Sequence, residues 1–329
     1  MRLKLLGLNC ENMADLAPGR GKSATERLHR RSQLLGALID SVAADVVGLV
    51  EATPTEDRTR WWLDTYVRTK YDLYQAERRG VLGLAFAVRS DVGLSATTRS
   101  KKECEELFKL ALFDADNDGI RESYTWANRV PHEVVLSGEG LAAPVTLILV
   151  HAKSKGVFIP GDLFAYEKLS KAARMKLRAQ GHAVRARLDR LLDAEGRGRA
   201  VVMGDMNDSA EFDIYSAELG GSFLSTVMGN IWDPRRIMTN AHAGIDPRFR
   251  WTIDFKDRVV NPLQEVRYGL PASMRSWIDH ILVSPDLRDG LVPGTAFIHH
   301  DQPFPAGWET RRRAERGTDH HPPSVVLEA

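Results

Sequence analysis

Cysteine, long apolar runs and an excess of either charge are what this sequence has least of. Its 329 residues include two cysteines, Cys10 and Cys104, too few for a disulfide framework or a cysteine-rich zinc module. The longest strongly apolar run, Val145-Thr-Leu-Ile-Leu-Val150, is strand-sized and far short of the roughly 20 residues a membrane helix needs, so no membrane partner is expected. Near the amino end the apolar stretch Leu5-Leu-Gly-Leu8 stops at Asn9, too early for the core of a secretory signal. A soluble, cytoplasmic protein is the expectation. Lys and Arg number 45 against 44 Asp and Glu, a net charge of +1. Taken alone, that sum argues against a dedicated nucleic-acid binder, which carries a basic excess to displace counterions from phosphates. Repeats and Gly/Ser-rich or Pro-rich linkers are missing too, so one domain over 1–329 is expected, with no obligate protein partner evident.

What the chain does have is a globular composition, 43% hydrophobic and 27% charged, arranged in short apolar runs. These predict strands at 3–9, 45–50, 82–88, 133–137, 145–151, 200–204, 278–283, 295–299 and 324–328. Helical spacing puts Leu28, Leu35, Leu38, Ile39 and Val42 on one face over 24–43, and Leu177, Val184, Leu188 and Leu191 on one face over 163–193. Few helices among many strands predict a sheet-on-sheet core with helices outside. Two weakly periodic segments, 91–130 and 208–276, read as loop insertions that carry function.

Chemistry-bearing side chains gather at the ends of the apolar runs. Leu8-Asn9, Leu49-Val-Glu51, Leu149-Val-His151, Met203-Gly-Asp205-Met-Asn207 and Trp277-Ile-Asp279-His280 each carry an acid, amide or imidazole there, and Gly317-Thr-Asp319-His320-His321-Pro322 precedes the last strand. Any one of these alone is ordinarily a turn former or helix cap. Their recurrence predicts that adjacent strands deliver them into one cleft. Many carboxylates with few imidazoles suit magnesium or manganese, hard cations that keep several waters and work beside phosphate oxygens.

Six blocks, Gly7-Leu-Asn-Cys-Glu-Asn-Met13, Val47-Gly-Leu-Val-Glu51, His151-Ala-Lys-Ser-Lys-Gly156, Gly204-Asp-Met-Asn-Asp208, Trp277-Ile-Asp-His-Ile-Leu-Val-Ser284 and Thr318-Asp-His-His-Pro322, resemble in content and order the signature of the endonuclease/exonuclease/phosphatase superfamily. That is the deoxyribonuclease-I-like fold, and the His151 block is most like its bacterial nucleases. The resemblance implies an α/β fold, a four-layered α/β/β/α sandwich of two mixed sheets with outer helices, and a metal-dependent phosphoester hydrolase. It implies that Glu51 binds the divalent cation, with Asn9 beside it and Asp319 opposite. Asp205 would orient and deprotonate the attacking water, and Asn207 would hold that water or a nonbridging oxygen. His320, fixed by Asp279, and His151 would donate to the scissile phosphate. These roles are chemically coherent: a cation and imidazoles offset the charge growing in the transition state, a carboxylate serves as base, and a His–Asp pair sets tautomer and pKa.

The substrate-binding candidates are Arg129, Lys153 and Lys155, Arg129 reading equally well as a solvated strand-end arginine. One departure stands out. The resemblance implies a glutamate partner for His151 near the start of the strand Leu82-Gly-Leu-Ala-Phe-Ala-Val-Arg89, which has no acid. Glu11 falls where other branches place an acid close to the metal. Asp114, Asp116 and Asp118, with Gly119, follow the first half of a calcium loop, but Thr125 stands where the bidentate glutamate belongs; a structural calcium site and a plain turn are both open. Eight basic residues within 167–190 read as a solvated helix face, whereas Arg311-Arg-Arg313 and Arg316 lie close in sequence to Asp319. Trp251, Trp277 and Trp308 are either base-stacking surfaces or core anchors. With acids concentrated around a cation and basic residues nearby, a net charge of +1 no longer excludes DNA or RNA. A nuclease is therefore the leading expectation. A phosphatase or phosphodiesterase for a small molecule or lipid headgroup is the alternative, and a non-catalytic binding module the third reading.

Overall fold

Among the described residues, strands β1 to β14 organise the fold: β1 (Arg2–Asn9), β2 (Val46–Ala52), β3 (Tyr71–Gln75), β4 (Gly83–Arg89), β5 (Leu94–Thr98), β6 (His132–Gly138), β7 (Val145–His151), β8 (Ala200–Asp205), β9 (Thr239–Asn240), β10 (Ile253–Asp254), β11 (Arg275–Ser276), β12 (Asp279–Val283), β13 (Phe297–Ile298) and β14 (Pro323–Glu328). They come from a computed structural model that describes residues 1–18, 24–76, 80, 82–157, 162–193, 195–211, 213–254, 275–300 and 317–329. One six-stranded sheet runs β13-β14-β1-β2-β4-β3 and a second runs β5-β6-β7-β8-β12-β9, with β10 and β11 as a separate ribbon. Each sheet holds one parallel pair at its centre, β1 with β2 and β7 with β8, and every other pairing within the two large sheets is antiparallel.

Period-two alternation sorts the side chains into layers. Leu3, Leu5, Val46, Val50, Phe86 and Val88 of the first sheet meet Val134, Leu147, Leu149, Val201, Met203, Ile281 and Val283 of the second in one buried cluster between the sheets. The alternate residues face outward. Leu6, Leu8, Val47, Leu49 and Ala85 pack under the helices α1 (Met13–Leu16), α2 (Glu26–Val42) and α3 (Glu56–Tyr66), which contribute Leu35, Leu38, Ile39 and Trp62. On the far side Ile148, Val150, Val202 and Leu282 are covered by α4 (Lys101–Leu107), α5 (Leu163–Leu191) and, beyond the short α6 (Ile214–Glu218), α7 (Phe223–Met228), through Cys104, Leu177, Val184, Leu188 and Phe223. The result is a four-layered α/β/β/α sandwich. No helix among the described residues is long and apolar enough to cross a membrane.

All nine expected strands and both expected helices form, within a few residues of their expected limits. The insertions are less irregular than their sequences suggest: 91–130 contains β5 and α4, and 208–276 contains α6, α7 and β9 to β11. Part of the second insertion, with Trp308, Arg311 to Arg313 and Arg316, lies outside the described residues.

Candidate active site

Both parallel pairs point their carboxyl ends the same way, and this brings the polar strand ends together. On the second sheet His151 of β7 lies beside Asp205 of β8, and Asp205 lies opposite Asp279 of β12. All three belong to the inward-facing set that includes Leu149, Met203 and Ile281. On the first sheet Asn9 also falls on the inward parity, after Leu3 and Leu5, and its amide Nδ2 reaches across to donate to Asp205 Oδ2 at 3.1 Å. Glu51 does not follow the alternation. Val50 faces inward and Ala52 outward, with a register irregularity between them and a backbone φ of 59° at Glu51. This bulge places the Glu51 carboxylate in the cleft, Oε1 at 3.6 Å from His151 Nε2. A positive φ on a non-glycine residue is strained backbone of the kind found at functional sites, and Asn207, at φ 50°, repeats it. Gly204 answers a different need. Its φ is 120°, and a Cβ there would collide with the carbonyl oxygen of Val150 on the neighbouring strand.

Hydrogen bonds then fix the carboxylates and imidazoles. Asp205 Oδ1 accepts the Asn207 N–H at 2.9 Å, while His151 Nε2 stands 3.8 Å from Asp205 Oδ2. His320 Nδ1 is 2.7 Å from Asp279 Oδ2, and His320 Nε2 is 3.7 Å from Asp319 Oδ1. Glu51 Oε2 accepts the Asn12 N–H at 2.7 Å. Thr318 Oγ1 donates to the Asn9 carbonyl and accepts the His320 N–H, locking the last loop onto β1. Thr252 does the same for β12, its hydroxyl accepting the N–H groups of Ile278 and Asp279, while its carbonyl accepts the N–H of His321. Asn9, His151, Asp205, Asp279, Asp319 and His320 are all buried.

Crowding these charges away from water shifts their protonation. Burial, then the neighbouring Asp279 and Glu51 carboxylates, push Asp205 up to about 7, against the opposing pull of His320 and of the Asn207 N–H. Burial also raises Glu51, with Asp319 adding to the shift and the Asn12 N–H, His320 and Arg129 working against it. For His320 burial acts downward, yet Asp279, Asp319 and Asp205 together outweigh it and hold the imidazole well above its usual value.

Acids raised by burial and by one another are relieved by a nearby positive charge, and their oxygens are donors that a hard divalent cation prefers. In the cleft, Asp205, Asp279 and His320 form a tight triad whose ligand atoms lie within 4.8 Å of one another. It differs from the expected ligand set of Glu51, Asn9 and Asp319. Asp279 and His320, however, spend facing atoms on each other. Asp205 accepts at both oxygens, from Asn9 Nδ2 and the Asn207 N–H, and Asn9 is engaged at both ends, its Oδ1 accepting the Glu11 N–H; Glu51 and Asp319 bring further carboxylate oxygens that could hold a cation.

The remaining candidates fall in different places. Arg129 Nη1 and Asn207 Nδ2 both donate to the carbonyl of Ala152, at 3.1 and 3.2 Å, so Arg129 borders the site. Lys153 is the next residue along. Lys155 departs from expectation: its ammonium is taken up by Asp208 at 2.5 Å and Asp213 at 3.2 Å, so it fastens the loop after β8. Asp208 itself is fully buried and also accepts the Leu224 N–H at the start of α7. Glu11 forms an ion pair with Arg31. Trp277 is buried, and Trp251 lies between Arg275 and His300. Asp114, Asp116 and Asp118 do converge within 4.8 Å, far along the chain from the cleft residues, but the Asp114 carboxylate accepts the N–H groups of Asp118 and Gly119, as in an ordinary acid-capped turn.

The sequence profile of the Endonuclease/Exonuclease/phosphatase family matches residues 8–320, which span every element of the cleft. The chain belongs to that family. Membership makes it a phosphoesterase by class. No curated protein matches it in sequence. Among solved structures it is similar to truncated TDP2 of Caenorhabditis elegans, at TM-score 0.57 and 15% identity, over 100% of this chain and 98% of that one. AP endonuclease LMAP from Leishmania major gives TM-score 0.57 and 15% identity over 99% and 87%. D. rerio TDP2 complexed with a single strand DNA product gives 0.54 and 13% over 99% and 98%. These likenesses show the same fold for the family member described here.

Proposed function

We propose that the protein hydrolyses phosphodiester bonds in a nucleic-acid strand, using magnesium or manganese. The observation that carries this reading is the pairing in one buried cleft of Asp205, aligned by Asn9 and the Asn207 N–H and raised by burial and neighbouring acids, with His320, whose Nδ1 lies 2.7 Å from Asp279 Oδ2 and whose imidazole those acids favour in its charged form. One group suits accepting a proton from water and the other suits neutralising phosphate. The likeness in fold to a protein whose structure contains a single strand DNA product supports a strand substrate.

Asp205, aligned by Asn9 and the Asn207 N–H, takes the proton as the water oxygen bonds to phosphorus. His320 donates from Nε2 to a nonbridging oxygen while Asp279 holds its Nδ1, and His151 stands on the other side of Asp205 to donate likewise. Asn207 orients the water or that oxygen. The bond from phosphorus to the leaving oxygen then breaks, that oxygen takes a proton from solvent, and Asp205 returns the one it accepted to solvent, so that one water yields a phosphate end and a hydroxyl end. A bound divalent cation, held by Glu51 and Asp319 with Asp205 nearby, supplies Lewis-acid stabilisation of the phosphate charge.

The test is an oligonucleotide cleavage assay with magnesium, manganese and EDTA arms, run on wild type and Asp205→Ala. Wild type is expected to cleave only with metal, and the variant to lose about 10³-fold, within the range of a lost general base. Phosphate release from small monoesters without strand cleavage would favour the phosphatase reading. Metal binding without any turnover would favour a binding module.

A further inference from the structure

We propose that Arg129, Lys153 and Lys176 form an anion subsite that receives the phosphate next to the scissile one in a polynucleotide strand, an inference that rests on the activity proposed above. Three separate segments bring these cations together. Arg129, before β6, shares the Ala152 carbonyl with Asn207, so the subsite begins where the hydrolytic cleft ends. Lys153 follows Ala152 directly. Its backbone N–H is held by Gln180 Oε1 at 2.9 Å, and Gln180 Nε2 donates in turn to the Thr125 carbonyl, four residues before Arg129. Gln180 is 1% exposed and sits one helical turn beyond Lys176 on α5. One buried amide therefore ties the helix, the loop after β7 and the segment before β6 into a single surface.

What sets the three cations apart is that they crowd one another while partly buried and without an ion pair; Lys168, Arg178 and Arg190 of α5 also lack ion pairs, but Lys168 and Arg190 are exposed and Arg178 lies near Asp114 and Asp116. On the same helix Lys171 pairs with Glu218, Arg174 with Asp213, Arg185 with Asp189 and Arg187 with Glu133. No described carboxylate lies within ion-pair distance of Arg129, Lys153 or Lys176, although each is partly buried. Burial, then Arg129 and Lys176, hold the Lys153 ammonium below its ordinary range, and burial with Arg129 does the same for Lys176. Like charges gathered and partly desolvated beside a phosphoester cleft are relieved by an anion. Lys153 Nζ spends one hydrogen on the Ser154 carbonyl and keeps two for a ligand.

The experiment compares Lys176→Glu, Lys153→Glu, Lys176→Arg and Lys168→Glu. Lys168 is an exposed lysine two turns earlier on α5, so its variant makes the same charge change outside the cluster. Affinity for a labelled single-stranded oligodeoxynucleotide is read by anisotropy across a salt series, in an Asp205→Ala background. Lys176→Glu and Lys153→Glu are each expected to weaken binding about tenfold and to flatten the slope of log affinity against log salt by roughly 0.7 for the lost contact. Lys176→Arg is expected to keep most of the affinity, and Lys168→Glu nearly all of it. With cleavage restored, the preference for the oligonucleotide over bis(p-nitrophenyl) phosphate should fall in the two glutamate variants. Equal losses from Lys176→Glu and Lys168→Glu, or an unchanged salt slope, would overturn the subsite. A wild type that cleaves no strand overturns the proposed activity instead, and the binding arm still decides the subsite.

Discussion

His242 shows how much a single side chain can depend on its surroundings. It is completely buried, Nε2 donating to the Ser324 carbonyl at 2.9 Å, and burial, reinforced by neighbouring histidines, depresses its pKa to about 4. Because the folded value lies below the unfolded one of about 6.5, the unfolded chain binds the extra proton first. The stabilisation is complete above about pH 6.5 and is lost as the pH falls to about 4, on the order of 3 kcal/mol in all. Thermal melts of wild type and His242→Gln should therefore differ in wild type's favour at pH 7.5 and converge towards pH 4; a constant difference would refute the account. Residues of this kind are hard to find in a sequence, since a histidine in a loop carries no sign of its burial. Asp205, Asp279 and His151 were legible because each interrupts or ends an apolar run, where a polar group needs a reason, and His320 because its Thr-Asp-His-His-Pro block stands directly before one. Thr252 and Arg31 had no such marker. Lys155 misled because a lysine beside a cleft looks the same whether it meets a substrate or a neighbouring aspartate.

At the scale of elements, α2 does more than cover a sheet. Arg31, on its inner face and 7% exposed, donates through Nε and Nη2 to the Gly317 carbonyl and through Nη2 to both the carbonyl and the carboxylate of Glu11. A single guanidinium therefore joins the loop after β1 to the loop before β14, the two loops that flank Glu51 and carry Asp319. Arg31→Met takes a buried guanidinium away from those acceptors, and is expected to cost about 3 kcal/mol in urea unfolding and to weaken magnesium binding. Arg31→Lys is expected to rescue little, because one ammonium cannot reproduce the fork. A lysine variant that behaves like wild type would sink the argument. Central strands such as β7 and β8 could be read from unbroken Val and Leu runs, as strands buried on both faces require. β3 (Tyr-Asp-Leu-Tyr-Gln) and β5 (Leu-Ser-Ala-Thr-Thr) could not, because as edge strands they are half exposed and polar. The Glu51 bulge was equally hidden, since it breaks the alternation on which strand reading rests.

For the whole molecule, the cleft concentrates unfavourable charge. Without a cation Asp205 has a folded pKa of about 7 against roughly 4 unfolded, so its contribution is fully present below about pH 4 and is lost as the pH rises through 7. That trend opposes the His242 trend, and the metal-free protein should show a flattened pH profile that Asp205→Ala tilts towards greater stability at high pH. Magnesium at about a hundred times its Kd stabilises by ~2.7 kcal/mol, and differential scanning fluorimetry at pH 8 should register a rise of several degrees over the EDTA-treated protein. A Glu51→Gln, Asp319→Asn double variant should lose most of that rise, and identical melting with and without magnesium would count against a metal here. A sheet-on-sheet core with outer helices was readable from the apolar runs, the four-layered sandwich came from the resemblance of the six blocks, and the convergence of strand ends was readable from the polar residues that close those runs, whereas the register that brings them together belongs to topology.

That meeting depends on the last strand. β14 completes the first sheet alongside β1, and the loop feeding it delivers Asp319 and His320, with Thr318 bonded to Asn9 across 309 residues of chain. During synthesis the loop that meets Asn9 is made 309 residues after it, and long-range pairings of this kind are the slow ones to form. Until His320 has left the exit tunnel, the growing chain carries its carboxylates without their cationic counterpart. A site assembled in this order is complete only once the segment that carries Asp319 and His320 has folded back onto β1.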